Sequence, residues 1–257
     1  MKPALTLLQG GRTEALADLR HLLARMEGFR PDARVLSFGL PALDRFLPQA
    51  GLAFGTLHEV AAATDDDMPA AFGFLLALLA RLPPEGPLIL VLPAGSSALG
   101  GSPHGHGLNG FGIDPARLLL VETQDDKQSL WAIEEALRSG VPIAVAGATG
   151  KGLTLKASQR LQLAAEASGA FLLLLRPPGA WGANAAATRW IVRAATAARD
   201  RFGLLSGWRW RVSLARSRNG RPGEWLVEYD HAAHRFSLAA LLADPAVPGS
   251  AGIQSIA

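Results

Sequence analysis

The sequence predicts an α/β protein in which a mainly parallel sheet is flanked by helices and followed by a basic β-hairpin near the C-terminus. Three observations carry this. Apolar runs of strand length, bounded by Gly or Pro, recur at "GTLHEV", "GPLILVLPAG", "ARLLLVET", "VPIAVAGA" and "AFLLLLRP", as strands buried on both faces require. Between them lie stretches of helical period, "DDKQSLWAIEEALRSG" and "LTLKASQRLQLAAEASG". Strands alternating with helices of this length build parallel sheets through right-handed crossovers. Near the C-terminus, "WRWRVSLARSRNGRPGEWLVEYD" changes the rhythm to a period of two around a turn at residues 219–223.

In chain order, residues 13–29 place Leu16, Leu19, Leu22, Leu23 and Met26 at helical spacing. They predict an amphipathic helix ahead of the core, a candidate for docking to a neighbour or for packing on its own domain. "RVLSFGLPALDRFLP" predicts a short strand, a Gly-Leu-Pro turn and a helical turn at residues 42–46. "GTLHEV" is a buried strand, and residues 68–81 form a helix whose all-round apolarity predicts burial. "GPLILVLPAG" is a central parallel strand, and the Gly- and Ser-rich "GSSALGGSPHGHGLNGFG" predicts a mobile loop. After the strand "AFLLLLRP", "NAAATRWIVRAATAARDRF" predicts a short helix. In the first hairpin strand, Trp208, Trp210, Val212 and Leu214 share one face, and Arg209, Arg211 and Ser213 the other. The organisation is a helical segment at 1–30, one domain at 31–242 and a disordered tail at 243–257, with no internal repeat.

At 257 residues, 49% hydrophobic and mean hydropathy +0.19, the chain can bury a substantial core. The formal charge is only +3, but residues 176–235 hold eleven Arg against four acids, or +7. That asymmetry predicts an anionic partner for the C-terminal third. Without cysteine, disulfides and thiolate zinc sites are excluded, in keeping with a reducing cytoplasm. The N-terminus carries no targeting pattern. The longest apolar run, at 69–81, falls short of the roughly 20 residues that cross a bilayer. A soluble cytoplasmic protein is expected.

"HEVAAATDDDMPAAFGFLLALLARL" has the strand, loop and helix of a phosphate-binding site but fills the loop with Asp65, Asp66 and Asp67 and no lysine. A working phosphate loop needs glycines, a lysine for the outer phosphates, and Ser or Thr for magnesium. Each near acid–phosphate contact costs about 1 kcal/mol in water and about 4 at an effective dielectric of 20. The loop is built against ATP, and no cofactor is expected. "VAGATGKGLT" fails the same test, because Val145 stands where the first Gly belongs and Gly152 follows Lys151.

The order of elements is similar to that of the RecA core. "VLSFGLPALDRFLPQAGLAFGTLHEV" resembles its entry, "GFGIDPARLLLVETQDDKQSLWAIEEALRSG" its next unit and "VSLARSRNGRPGEWLVEYD" its late basic hairpin. The similarity spans residues 35–236. It departs at residues 61–72, at the acid missing from "LPAG", and around Ala146 and Gly147, where the magnesium aspartate would stand. A RecA-like chain with these losses and this Ala- and Arg-rich character most resembles the ImuA family. The resemblance implies a non-enzymatic accessory protein of SOS-induced translesion DNA synthesis. Its partners would be an ImuB-like protein, an error-prone DNA polymerase and the RecA filament, with single-stranded DNA a further candidate, at the nucleoid and away from any membrane. A SulA-like cell-division inhibitor and a residual RecA-type nucleotidase are the alternatives.

The contact residues expected for DNA or a partner are Arg176, Trp181, Arg189, Arg193, Arg209, Arg211, Arg216 and Arg218. Arg189 and Arg193 lie one helical turn apart in the expected helix. Trp181 sits in the Gly/Ala segment that the resemblance makes a DNA-facing loop, where packing over the sheet end is the competing role. Other tempting residues read as structural. His58-Glu59 lacks the second His of a zinc-protease motif, and His104 with His106 lacks a carboxylate, so no metal is expected. Asp125, Asp126, Glu134 and Glu135 read as a solvated, dipole-complementing helix. Ser96, Ser97 and Ser102 lack a nucleophile elbow, so no catalytic residue is expected. Trp131 reads as a helix–sheet contact, and Trp208, Trp210 and Trp225 as the packed face of the hairpin.

Overall fold

A computed structural model describes residues 34–95, 99, 101–150, 153–180 and 182–239. The helix expected at 13–29, Trp181, Ser96, Ser97, Lys151 and the tail at 243–257 lie outside the described residues. The chain enters through a small antiparallel pair, β1 (Val35–Leu36) and β2 (Leu52–Ala53), around the short helix α1 (Pro41–Asp44). Asp44 ties this entry together by accepting from the Ser37 hydroxyl and from the amides of Phe38 and Leu40 at 2.8–2.9 Å.

Strands β3 (Leu57–Ala62), β4 (Leu88–Pro93), β5 (Leu118–Thr123), β6 (Ala144–Ala148), β7 (Phe171–Arg176) and β8 (Thr188–Arg199) run parallel. Strands β9 (Leu205–Ser217), β10 (Gly223–Asp230) and β11 (Arg235–Leu238) extend the sheet antiparallel from β8. The order is β11-β10-β9-β8-β3-β7-β6-β4-β5. One face is covered by α2 (Met68–Ala80), whose apolarity on all sides matches burial of nearly its whole length. Phe74 of α2 packs among Phe38, Trp190, Trp210 and Phe236. A short helix, α3 (Gly105–Gly110), precedes β5.

The other face is covered by α4 (Asp126–Arg138) and α5 (Leu155–Ser168). Their Ile133, Leu137, Leu161 and Ala165 meet Leu57, Val91, Val145, Leu172 and Leu174 of β3, β4, β6 and β7. Asp125 caps α4 by accepting from the Gln128 amide, and Thr154 caps α5 by accepting from Ala157. This cover stops short of β8–β10. On that side of the sheet Arg193 and Arg211 are exposed and Ile191, Ser213 and Leu226 half-buried.

Two expectations are corrected. The alanine-rich segment expected as a helix is strand β8. Alanine's helical preference amounts to tenths of a kcal/mol per residue, whereas pairing to β3 buries Trp190 and Val192 completely against α2. Within the Gly- and Ser-rich stretch, residues 105–110 form α3, where His104 caps by accepting from the Gly107 amide and Leu108 is buried. Trp131 is 63% exposed, so it makes no helix–sheet contact of the kind expected. In β9 the alternation is as read, with Trp210, Val212 and Leu214 buried and Trp208 packed against the same core.

Candidate functional site

The turn between β3 and α2 is a capping device. Thr64 accepts from the Asp67 amide, and the Asp67 carboxylate accepts from the Thr64 amide at 3.1 Å and its hydroxyl at 2.7 Å. The other Asp67 oxygen accepts from the Ala194 amide of β8 at 2.8 Å, stitching the turn to the neighbouring strand. Burial alone would raise the Asp67 pKa. The Thr64 hydroxyl, the Ala194 and Thr64 amides and the Arg193 charge outweigh it and hold the carboxyl below its ordinary value. The three aspartates that fill the loop therefore do not act alike: Asp65 and Asp66 are exposed, while Asp67 turns back into the backbone.

Beside this turn, Glu59 of β3 is completely buried at the centre of an ion-pair network. Its carboxylate accepts from Arg189 Nε of β8 at 2.8 Å and from Asn184 Nδ2 at 2.6 Å, and Arg176 Nε of β7 lies 3.6 Å away. Arg176 also donates to the Thr149 hydroxyl at 2.6 Å. Arg189 reaches the Gly182 carbonyl, Arg216 the Asn184 carbonyl and Arg218 the Ala185 carbonyl, at 3.1–3.2 Å. Three guanidinium groups, those of Arg189, Arg216 and Arg218, thus pin the segment after β7, and Arg176 joins Arg189 at the Glu59 carboxylate. Burial lowers the Arg176 pKa and Glu59 offsets this. Burial lowers that of Arg216 too, and the charges of Arg189 and Arg218 push it the same way.

From this centre the sheet face that no described helix covers continues outward. Arg193 pairs in register with Arg211, and Arg189 with Arg216, so guanidinium groups follow one another along β8 and β9 on one side. Across the next strand, Arg209 meets Glu228 at 2.7 Å and Arg211 meets Glu224 at 3.2 Å. The exposed pair contributes little to stability, but each acid takes a charge away from the face. Its physical character is a flat, partly neutralised cationic surface, able to meet a row of anions.

Of the expected contact residues, Arg193, Arg209 and Arg211 share this open face. Arg176 and Arg189 do not flank a free loop: they are 3% and 8% exposed and tied to Glu59. Arg189 and Arg193 are four residues apart on a strand rather than one helical turn apart. Arg216 and Arg218 are half-buried and bonded to the 184–187 segment. Glu59, Asn184 and Thr149 were missed as partners. One signal was present: an acid inside the apolar "GTLHEV" needs a buried counter-charge.

The solvated-helix reading of α4 is corrected in part. Asp126 accepts from the Gly150 amide at 2.7 Å, and Glu134 is buried and paired with Arg138 and Arg160. At Gly147, where the resemblance would put a magnesium aspartate, an added Cβ would collide with the Ile133 side chain. His58 is buried, its Nε2 donating to the Ala53 carbonyl and its Nδ1 accepting from the Thr188 hydroxyl. Burial depresses its pKa from 6.5 to about 4. Among the described residues no cluster of His, Cys, Asp and Glu could hold a metal. None of their helices is long and apolar enough to cross a membrane.

No family model matches the chain. Protein ImuA of Caulobacter vibrioides strain NA1000 / CB15N is 37% identical over 235 residues, covering 84% of this chain and 93% of that protein. Protein ImuA of Caulobacter vibrioides strain ATCC 19089 / CIP 103742 / CB 15 is similar to the same extent.

Proposed function

This chain belongs to the ImuA family, and on that premise we propose that it is a non-enzymatic, RecA-like accessory protein of damage-induced, error-prone translesion DNA synthesis. In this reading it works with an ImuB-type protein and an error-prone polymerase, and its open arginine face meets DNA phosphates or a RecA filament. The observation that carries the reading is the family match, which runs through nearly the whole length of the relatives.

Two features support the absence of nucleotide chemistry. Asp67 occupies the helix start with its own carboxylate, and the loop has no lysine for phosphoryl transfer, while its Thr64 hydroxyl is engaged with Asp67. The packing of Ile133 over Gly147 supports it further, since an aspartate there would have to push the Ile133 side chain aside. Deletion of the gene tests the reading. Mutation frequency after ultraviolet exposure should fall and be restored by the parent gene, with undamaged growth normal. An unchanged frequency would rule the role out.

A further inference from the structure

Among the described residues, β8 pairs with no strand but β9 beyond Val192, and β9 pairs with none but β8 before Trp208. The two strands leave the sheet there as a two-stranded arm. Its tip exposes Phe202 by 71%, Leu204 by 65% and Leu205 by 46%. Such a tip in water has an unfavourable apolar surface and, as a bare hairpin end, little reason for order. Yet its turn is held by five hydrogen bonds. The Asp200 side chain accepts from the amides of Phe202 and Leu204 at 2.8 and 2.9 Å. The Asp200 amide donates to the Leu204 carbonyl at 2.8 Å, and the Gly203 amide to the Asp200 carbonyl at 3.0 Å. Arg199 donates to the Gly203 carbonyl at 2.7 Å. Gly203 takes φ 77°, a left-handed conformation that glycine adopts without strain. The polar groups thus face inward and hold the apolar ones out.

We propose that this tip is a protein-docking knob, with Phe202, Leu204 and Leu205 entering an apolar pocket of a partner whose rim is acidic. Charge complementarity selects the rim, because Arg199 and Arg201 flank the apolar residues while Asp200, the acid between them, is engaged with the turn backbone. A nucleic acid is the poorer occupant. Bases stack on aromatic faces, but the Arg201 guanidinium lies 4.6 Å over the Phe202 ring, and the leucines have no π-face to offer. A preformed turn also limits the ordering cost of docking.

The proposal rests on the reading above that the chain works with an ImuB-type protein, which serves as the probe. Titration calorimetry would compare the full chain with the Phe202→Ser/Leu204→Ser and Arg199→Glu/Arg201→Glu variants, and Arg209→Ala/Arg211→Ala would control for the sheet face. The expected result is a Kd at least tenfold weaker for both tip variants at an unchanged melting temperature. The control should bind this protein like the parent. Parent-like binding by the Phe202→Ser/Leu204→Ser variant overturns the knob while leaving the functional reading in place. Loss of single-stranded DNA binding with protein binding intact overturns it in favour of a nucleic-acid wedge. Loss of concentration-dependent self-association alone overturns it in favour of a second copy. Failure of the parent to bind the ImuB-type protein overturns both readings.

Discussion

Glu59 and Arg189 are register partners on adjacent parallel strands, and their side chains meet at 2.8 Å in the interior. The pair does more than cancel two charges. With Asn184, Arg216 and Arg218 it fastens the segment joining β7 to β8, and so sets where the open face of β8 and β9 begins. Removing one partner of a buried pair costs about 3–5 kcal/mol, because the other is left uncompensated. Glu59→Ala should lose stability of that order in urea unfolding, with Arg189→Ala similar. A loss below about 1 kcal/mol for both would show the network to be incidental.

His58 makes stability depend on pH. Its pKa is about 4 in the folded protein against 6.5 when exposed, so the unfolded chain binds the extra proton between those values. The contribution is complete above pH 6.5 and is lost as pH falls toward 4, at about 1.4 kcal/mol per unit and about 3 in all. Urea midpoints measured from pH 7.5 to 4.5 should decline through this window. A His58→Gln variant should show a flatter dependence.

Asp67 works in a lower window. Its folded pKa lies below 3.8, so its stabilisation is present above that value and disappears as pH falls through the folded pKa. Asp67→Ala should cost about 1–2 kcal/mol at neutral pH, the usual worth of a helix cap. Neither parent nor variant should bind ATP by calorimetry, since removing one acid supplies no lysine. Micromolar affinity in either would contradict the reading of this loop.

Arg193, Arg209 and Arg211 are the arginines to replace in a test of anion binding, because Arg176, Arg189, Arg216 and Arg218 also hold the fold together. The triple alanine variant should keep its melting temperature and weaken single-stranded DNA binding. The log-log salt slope should fall by roughly 0.7 for each phosphate that is no longer neutralised. Glu224→Gln with Glu228→Gln should strengthen binding, since those acids now neutralise two of the arginines. Unchanged affinity in both variants would remove this face as the site.

Where apolar period and length agreed, elements were legible from residues alone. β3, β4, β5, β6 and β7, and the helices α2, α4 and α5, lie where their patterns put them. Capping residues marked the helix starts, as at Asp125 and Thr154. β8 was not legible, because "AAATRWIVRAATAAR" is rich in the best helix former and its strand character comes from pairing to β3, far away in sequence. Trp131 misled for a related reason. An aromatic residue on a helix carries no mark of which side the sheet will take.

By itself the sequence determined the α/β class, the order of most elements, the absence of lysine and the run of three aspartates between β3 and α2, and the excess of arginine in the last third. These are local properties, written in residue type and spacing. Only the tertiary structure decided which arginines are available. Arg176, Arg189, Arg193 and Arg211 are alike in chemistry, but Glu59 draws the first two inside, and the edge of the helical cover leaves the last two in water. Burying a guanidinium requires a counter-charge in reach. Which acid that is depends on strand register, a relationship that exists only once the chain has folded.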